Sequence, residues 1–432
     1  MIVYSHTNSP RLEYILNFLS VYYTIPITVV ISEQEYHDAE GLKVNYTPQP
    51  LSDDTLWIEP SGLLFDKGIR AHEVVVFHHP HGYKAFYKAH GHLGFDLFAA
   101  IFFLLTRYEE YGPHQKDAYG RYDHRQSTAY KNSFLHQPLV NIWLEDFRKL
   151  AGLTNHKSQL TTPNFLPTYD IDIAWSYKNK EAWVNTGGVV RSLLKGEWSA
   201  INERKAVRKG AAPDPYNSYD YLDSLHQQYR LQPLYFIHVG QKRSRYDKNI
   251  NTDNPEYREL IQSLSKKYRL GLHPSWASNE EAHLLAKEKG VLEEITRQPI
   301  TRSRQHFIKW SLPTTYRRLL ALGITDDYSM GYGSINGFRA SVAVPYYWYD
   351  VEKEEQTSLL LHPFAFMDAN ALFEQRQSPE QSLQELLSYY STVKEVNGEL
   401  ITIWHNTFLG TDPLFKGWKE VYTQFLQTVA TS

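Results

Sequence analysis

The sequence predicts an α/β protein in two parts: a (β/α) barrel of about seven strands over residues 165–432, preceded by a smaller α/β domain over residues 1–160. Three observations carry this expectation. The chain has 432 residues, above the roughly 100–200 of one typical domain. From Phe165 onward, short apolar runs alternate with amphipathic helical patterns, as repeated βα units around a parallel sheet require. A polar connector, Thr154 to Asn164, separates this pattern from what precedes it.

Taken in order, the chain opens on a strand-like Ile2-Val-Tyr, then an amphipathic stretch, then a β-rich run at Ile27-Thr-Val-Val-Ile after Pro26. The segment Phe95 to Tyr108 is apolar on nearly every face and long enough for a buried helix. A turn-rich stretch follows, then a helical pattern from Val140 to Leu150. Strand candidates of the second part are Phe165–Ile173, Leu234–Val239, Leu270–Pro274, Ile300–Phe307, Ile324–Tyr328, Ser358–Pro363 and Leu400–Trp404. Two helix starts carry capping-box spacing, Ser278 with Glu281 and Ser378 with Gln381, the second with a proline at the first helical position. An insertion, about 174–215, follows the first barrel strand and contains a basic amphipathic segment over 189–209. That segment fits a peripheral contact with an anionic membrane, a lid over the site, or a solvated helix beside the barrel.

Composition narrows the function classes. A net charge of −3 gives no electrostatic basis for a nucleic-acid partner. The absence of cysteine excludes thiolate ligands and cysteine nucleophiles, so any metal is held by His, Asp or Glu. The start Met1-Ile-Val-Tyr-Ser-His lacks the pattern of a signal peptide and no apolar run is long enough to span a bilayer, so a cytoplasmic location is expected.

Chemistry is sought at strand ends, where the loops of a βα barrel collect it. Thr168-Tyr-Asp170-Ile-Asp172 sends two carboxylates to one side of a strand, able to hold a divalent cation or to act as ligand and base. Gly271-Leu-His273-Pro-Ser brings an imidazole, Ser303-Arg304-Gln-His306 a guanidinium and a second imidazole, and Ile401-Thr-Ile-Trp404-His405 a third. Asp326, Asp327 and Arg339 lie near further strand ends, either to shape a pocket or to form a structural Asp327–Arg339 pair.

In this order the motifs resemble the polysaccharide deacetylase family, the NodB-homology or carbohydrate esterase family 4 group, from Phe165 to the C-terminus. The resemblance implies a distorted (β/α) barrel and a metal-dependent hydrolase that removes N-acetyl groups from an amino sugar in a polysaccharide or glycan precursor. It implies Asp170 as base, Arg304 as its orienting partner and His405 as general acid, with Asp172 and His273 as ligands of a divalent ion, zinc being the expected one. Two positions depart from the family pattern. Ile171 separates aspartates that are usually adjacent, and Ala277 stands where the second histidine of H-[ST]-x-x-H belongs. His306 or His238 is then the third ligand, with His306 preferred for its place in a motif. Ala277 also keeps open a catalytically impaired glycan-binding relative, and the barrel alone admits an amidohydrolase acting on a small non-sugar amide.

Overall fold

The computed structural model describes residues 1–51, 55–153 and 165–431. The connector predicted at Thr154 to Asn164 lies outside them. Four parallel strands, β1 (Ile2–Tyr4), β2 (Thr28–Val30), β3 (Lys43–Asn45) and β4 (Leu56–Trp57), form a sheet in the order β2-β1-β3-β4. The helix Pro10–Tyr23 starts where Ser9 accepts the Leu12 N–H and Pro10 fills the first position. Leu12, Ile15, Leu19 and Tyr23, spaced along one face, are buried. The predicted apolar helix is Leu97–Leu105, capped by Asp96 and buried at all nine residues. This part also holds a short antiparallel ribbon, β5 (Phe77–His78) with β6 (Lys84–Ala85), the helix Leu139–Leu150 and shorter helices at Glu33–Asp38 and Thr128–Lys131.

The C-terminal part is a mixed α/β structure around a nine-stranded sheet. Its strands are β7 (Phe165–Ile171), β8 (Leu234–His238), β9 (Arg269–His273), β10 (Arg302–Ser303), β11 (Asp326–Asp327), β12 (Tyr346–Asp350), β13 (Glu355–Leu361), β14 (Phe366–Met367) and β15 (Leu400–His405). The order is β12-β13-β11-β10-β9-β8-β7-β15-β14, with only β12 and β13 antiparallel. β7 sits between β8 and β15 and buries all seven residues, which is why it reads as an apolar run rather than an alternating one. β13 and β14 are near-successive parts of one run, so the two ends of the strand order lie on one stretch of chain. Between them, His362 N–H donates to Asp327 O (2.8 Å) and Ala365 N–H to Ile401 O (3.2 Å).

Several sequence expectations change. β12 and β14 were not anticipated, and the run Ile300–Phe307 contributes only a two-residue strand before a 3₁₀ turn at His306–Ile308. Ser378 and Gln381 form the capping box, but Ser278 does not. Its hydroxyl donates to Ser275 O (2.7 Å) inside a 3₁₀ turn, and the helix begins only at Ala282. The insertion forms two helices, Ala182–Leu194 and Trp198–Arg208.

The buried cores of the two parts are continuous. Polar contacts join them as well. Glu110 lies between Arg107 (2.8 Å) and Arg339 (2.6 Å), all buried, and Arg11 pairs with Glu354 (2.6 Å). Arg339 therefore pairs with Glu110 rather than with Asp327, whose carboxylate instead accepts from Ser329 N–H and hydroxyl.

Candidate active site

The parallel strands deliver the predicted residues to one end of the sheet. Thr168, Asp170 and Asp172 alternate along β7 and just past it, so their side chains share a face. Across the ladders His405 is in register with Asp170, and His238 with His273. Arg304 follows β10 directly. A cavity of about 330 Å³ opens over this end and is lined by Asp170, Asp172, His273, His306 and His405 among others. That is toward the small end of ligand sites, roughly 300–1,000 Å³.

Asp170 is buried and pairs with the fully buried Arg304, Nη1 to Oδ1 at 2.8 Å. The same Nη1 donates to Thr168 Oγ1 (2.7 Å), and Nε donates to Tyr328 O (3.0 Å). The guanidinium lies 4.2 Å from the Phe236 ring centroid. That ring occupies the space above Gly271, where an added Cβ would meet it at 2.5 Å, so a glycine in β9 makes room for the stack that carries Arg304.

Asp172 stands at the centre of three imidazoles. Its Oδ1 is 3.0 Å from His273 Nε2, and its Oδ2 is 3.3 Å from His306 Nε2 and 3.5 Å from His405 Nε2. Each ring is held from behind by an acceptor. His273 Nδ1 donates to Arg304 O (2.7 Å), His306 Nδ1 faces Asp247 Oδ1 (3.1 Å) and His405 Nδ1 faces Asp368 Oδ1 (2.6 Å). With Nδ1 protonated, a neutral imidazole presents a lone pair at Nε2. Three lone pairs directed at one carboxylate repel unless positive charge lies among them. Protons supply it in the metal-free protein: burial alone would lower both histidines, but Asp172 and Asp247 hold His306 up at about 9, and Asp368 and Asp172 hold His405 up at about 10. Burial would raise the Asp172 carboxyl, yet His306 and His273 hold it well below its ordinary range.

The donors also fit a divalent cation. Ligand atoms of Asp172, His273 and His306 all lie within 4.8 Å of one another, and a carboxylate with two imidazoles is a ligand set of catalytic zinc sites. Buried Asp172 Oδ1 accepts no hydrogen bond despite its closeness to His273, as a ligand atom does when its partner is an ion. The acceptors behind the rings are the outer partners that orient metal-binding histidines. His405 is not part of that triplet. A second triplet, His238, Asp247 and His306, stands behind the first. His238 Nε2 faces Asp247 (3.0 Å), so His238 meets Asp247 rather than Asp172. The third, His79, His81 and Asp146, is satisfied without an ion: His79 accepts the His81 N–H and faces Leu93 O, while Asp146 accepts from Tyr83.

Sequence reasoning missed Asp247 and Asp368. Asp368 is the first polar residue after the apolar run Phe364–Met367 and obeys the strand-end rule that found the others, but its strand has two residues and merges with the preceding run. Asp247 lies in a polar loop after β8 with no periodic signal. Ala277 sits in a 3₁₀ turn and offers no ligand.

The first part of the chain also reaches the site. Tyr119 and Arg121 line the cavity. Half-buried Tyr119 packs against Phe307 (5.5 Å between centroids), and Tyr246 stacks on Trp276 (3.9 Å), which meets Phe307 edge-on (5.5 Å). Phe307 and Ile308 both adopt positive φ, 59° and 52°. The turn thus sends His306 inward and Phe307 to the aromatic cluster.

A family of unknown function, DUF7033, matches residues 1–153. No curated protein matches the chain in sequence. Among solved structures, a protein from Mycobacterium smegmatis assigned as a polysaccharide deacetylase shares 12% identity at a TM-score of 0.40, over 63% of this chain and 86% of that one. One from Pseudomonas aeruginosa PAO1, of the same assignment, shares 11% at 0.38 over 62% and 85%. A carbohydrate esterase family 4 pseudoenzyme from Bacillus anthracis shares 9% at 0.30 over 62% and 63%.

Proposed function

We propose that this protein is a metal-dependent hydrolase that removes N-acetyl groups from an amino sugar in a glycan or glycan precursor. The observation that carries the proposal is Asp172 among three imidazoles whose outer nitrogens are each held by an acceptor, beside an Asp170–Arg304 pair at the floor of one cavity. In this reading Asp172, His273 and His306 hold the divalent ion, zinc being the ion that their donor set favours. When bound, such an ion supplies Lewis acidity to an amide carbonyl and acidifies water.

The remaining steps belong to the chain's own groups. Asp170, fixed by Arg304, accepts the proton of the attacking water. His405, fixed by Asp368, donates a proton from Nε2 to the departing amine, leaving acetate and a free amino sugar. The strand order, whose ends meet on one stretch of chain, supports a distorted barrel as the frame. Tyr119 and Phe307, which line the cavity, offer apolar surface for sugar rings. A glycan-binding relative without chemistry drew its support from Ala277. His306 supplies an imidazole by another route, which favours the enzyme. A cytoplasmic location remains part of the proposal. Among the described residues no helix is long and apolar enough to cross a membrane.

The test is metal content with acetate release. The purified protein should hold about one divalent ion per chain, lose it with Asp172→Asn, and release acetate from N-acetylated oligosaccharides only when the ion is present. A protein that binds no divalent ion, or releases acetate equally after chelation, overturns the proposal. Release from small non-sugar amides alone would transfer it to the amidohydrolase reading.

A further inference from the structure

The first helix of the insertion's hairpin is built inside out, while the second buries Ile201 and Val207. The first, Ala182–Leu194, buries Asn185 (2% exposed) and Ser192 (6%) while presenting Trp183 (68%) and Leu194 (84%) to solvent, together with Val190 and Leu193. Trp198, at the start of the second helix, is 64% exposed. The spacing 183, 190, 194 places one apolar stripe along the outer side. The inward polar residues are well served. Asn185 donates to Tyr177 O (3.1 Å) and Lys180 O (3.3 Å), and Arg204 of the second helix donates to Asn185 O (3.2 Å). The polar face is therefore the packed one, while the apolar face stays largely exposed, with the Arg243 guanidinium 5.5 Å from the Trp183 ring centroid.

Charge identifies what covers it. Residues 182–210 carry six basic side chains, Arg191, Lys195, Arg204, Lys205, Arg208 and Lys209, against Glu197 and Glu203, in a chain whose net charge is −3. Arg191 and Lys195 flank the apolar stripe, and Lys205, Arg208 and Lys209 are exposed on the second helix. Two exposed tryptophans with leucines and valine, bordered by lysine and arginine, match the interface of an anionic bilayer: rings at headgroup depth, aliphatic chains below, cations on phosphates. We propose that the hairpin 182–209 is a peripheral docking surface for an anionic lipid membrane. The insertion that carries the hairpin leaves the end of β7 just after Asp172 and returns at Tyr216, and Ile173 and Tyr216 both line the cavity. Docking therefore keeps the cavity within about one hairpin length, roughly 20 Å, of the lipid surface.

The full-length protein is tested by co-sedimentation with phosphatidylcholine vesicles containing either none or about 30 mol % phosphatidylglycerol. Binding is expected to the anionic vesicles and to fall about tenfold on adding salt to ~0.5 M. The triple variant Trp183→Ser, Leu194→Ser, Trp198→Ser should lose about tenfold or more in binding while keeping the far-ultraviolet circular dichroism of the parent, because all three side chains are exposed. Replacing Arg191, Lys195, Lys205 and Lys209 by Gln should remove the preference for phosphatidylglycerol. Failure of the parent to pellet with anionic vesicles overturns the proposal, and so does unchanged binding by the triple variant. A concentration-dependent dimer by light scattering, abolished by the triple variant without any vesicle binding, would assign the face to a second copy of the chain. Metal content and acetate release are separate readouts, so failure here leaves the site's chemistry untouched.

Discussion

Replacing Arg304 by Met separates what the guanidinium does for the fold from what it does for the site. Arg304 is 0% exposed and Asp170 2% at the side chain, with 2.8 Å between Nη1 and Oδ1. For charge centres about 4 Å apart, an effective dielectric near 20 gives ~4 kcal/mol of attraction. Removing one partner of such a buried pair costs about 3–5 kcal/mol, because the remaining charge is stranded. Arg304→Met should therefore destabilise by about 3–5 kcal/mol and Asp170→Asn by about 2–4 kcal/mol. The double variant should recover about 2–3 kcal/mol of the summed loss, since methionine packs against Phe236 and asparagine needs no counter-charge. Urea unfolding followed by tryptophan fluorescence reads the cycle, and the ten tryptophans provide the signal. Acetate release should fall about a hundredfold or more in each single variant and stay low in the double variant. Additive stability effects would refute the coupling, and recovery of activity with stability would refute the role of Asp170 as base.

Three further outcomes follow from the same geometry. Asp368→Asn should lower kcat by about 10²-fold or more with KM within a few-fold, since Asp368 accepts both the His405 N–H (2.7 Å) and the ring Nδ1–H; equal losses in KM would point to binding instead. Arg121→Gln should weaken metal affinity about tenfold, measured by competition with a chromophoric chelator, because its Nη1 donates to Phe307 O (3.0 Å) in the turn that carries His306. His226 is buried against Tyr169 and Tyr268, and burial depresses it to about 4. The unfolded chain binds its proton near 6.5 and the folded chain only near 4, so its contribution is present above pH 6.5 and lost on descending to pH 4. Between pH 7 and 5 the parent should lose ~2 kcal/mol more than His226→Gln by urea unfolding, and parallel losses would contradict this assignment.

What was legible in the sequence is what one element encodes by itself. β7, β9 and β15 are apolar runs ending in Asp or His, and buried parallel strands read that way whatever surrounds them. The fully buried helix Leu97–Leu105 was equally plain. The extent of β10 was not, because the stretch Thr301 to His306 is polar throughout and carries no period to mark where the strand stops, while the backbone leaves the ladder for two left-handed residues. One of the two readings of the sequence pairs Arg339 with the nearby Asp327, whereas the fold supplies Glu110 from 229 residues upstream. Asp247 escaped for the same reason: a loop carboxylate becomes a site residue only when folding places His238 and His306 against it. The Ser278 spacing matched a capping box, but the Ser275 carbonyl took the hydroxyl in a tighter turn first.

The greatest distance between sequence and structure concerns the first 153 residues, which carry no motif of their own yet build one wall of the site. Consecutive positive φ values at Phe307 and Ile308, the second β-branched, cost about 1–3 kcal/mol each and persist only where the surroundings fix them. Arg121 helps to fix them, donating from Nη1 to Phe307 O (3.0 Å) and to Gly333 O (2.8 Å) while Asp117 holds its Nε at 2.6 Å. A Cβ at Gly333 would lie 2.2 Å from that Nη1, so the guanidinium reaches the turn only past a glycine. The same region provides Glu110, the counter-charge of buried Arg339, and Tyr119, which packs on Phe307. A chain beginning at residue 165 would leave Arg339 without its counter-charge and the His306 turn without its clamp. The imidazole that answers for Ala277 is therefore held in place from the other part of the molecule, and the two parts form one working unit although their sequence signatures are separate.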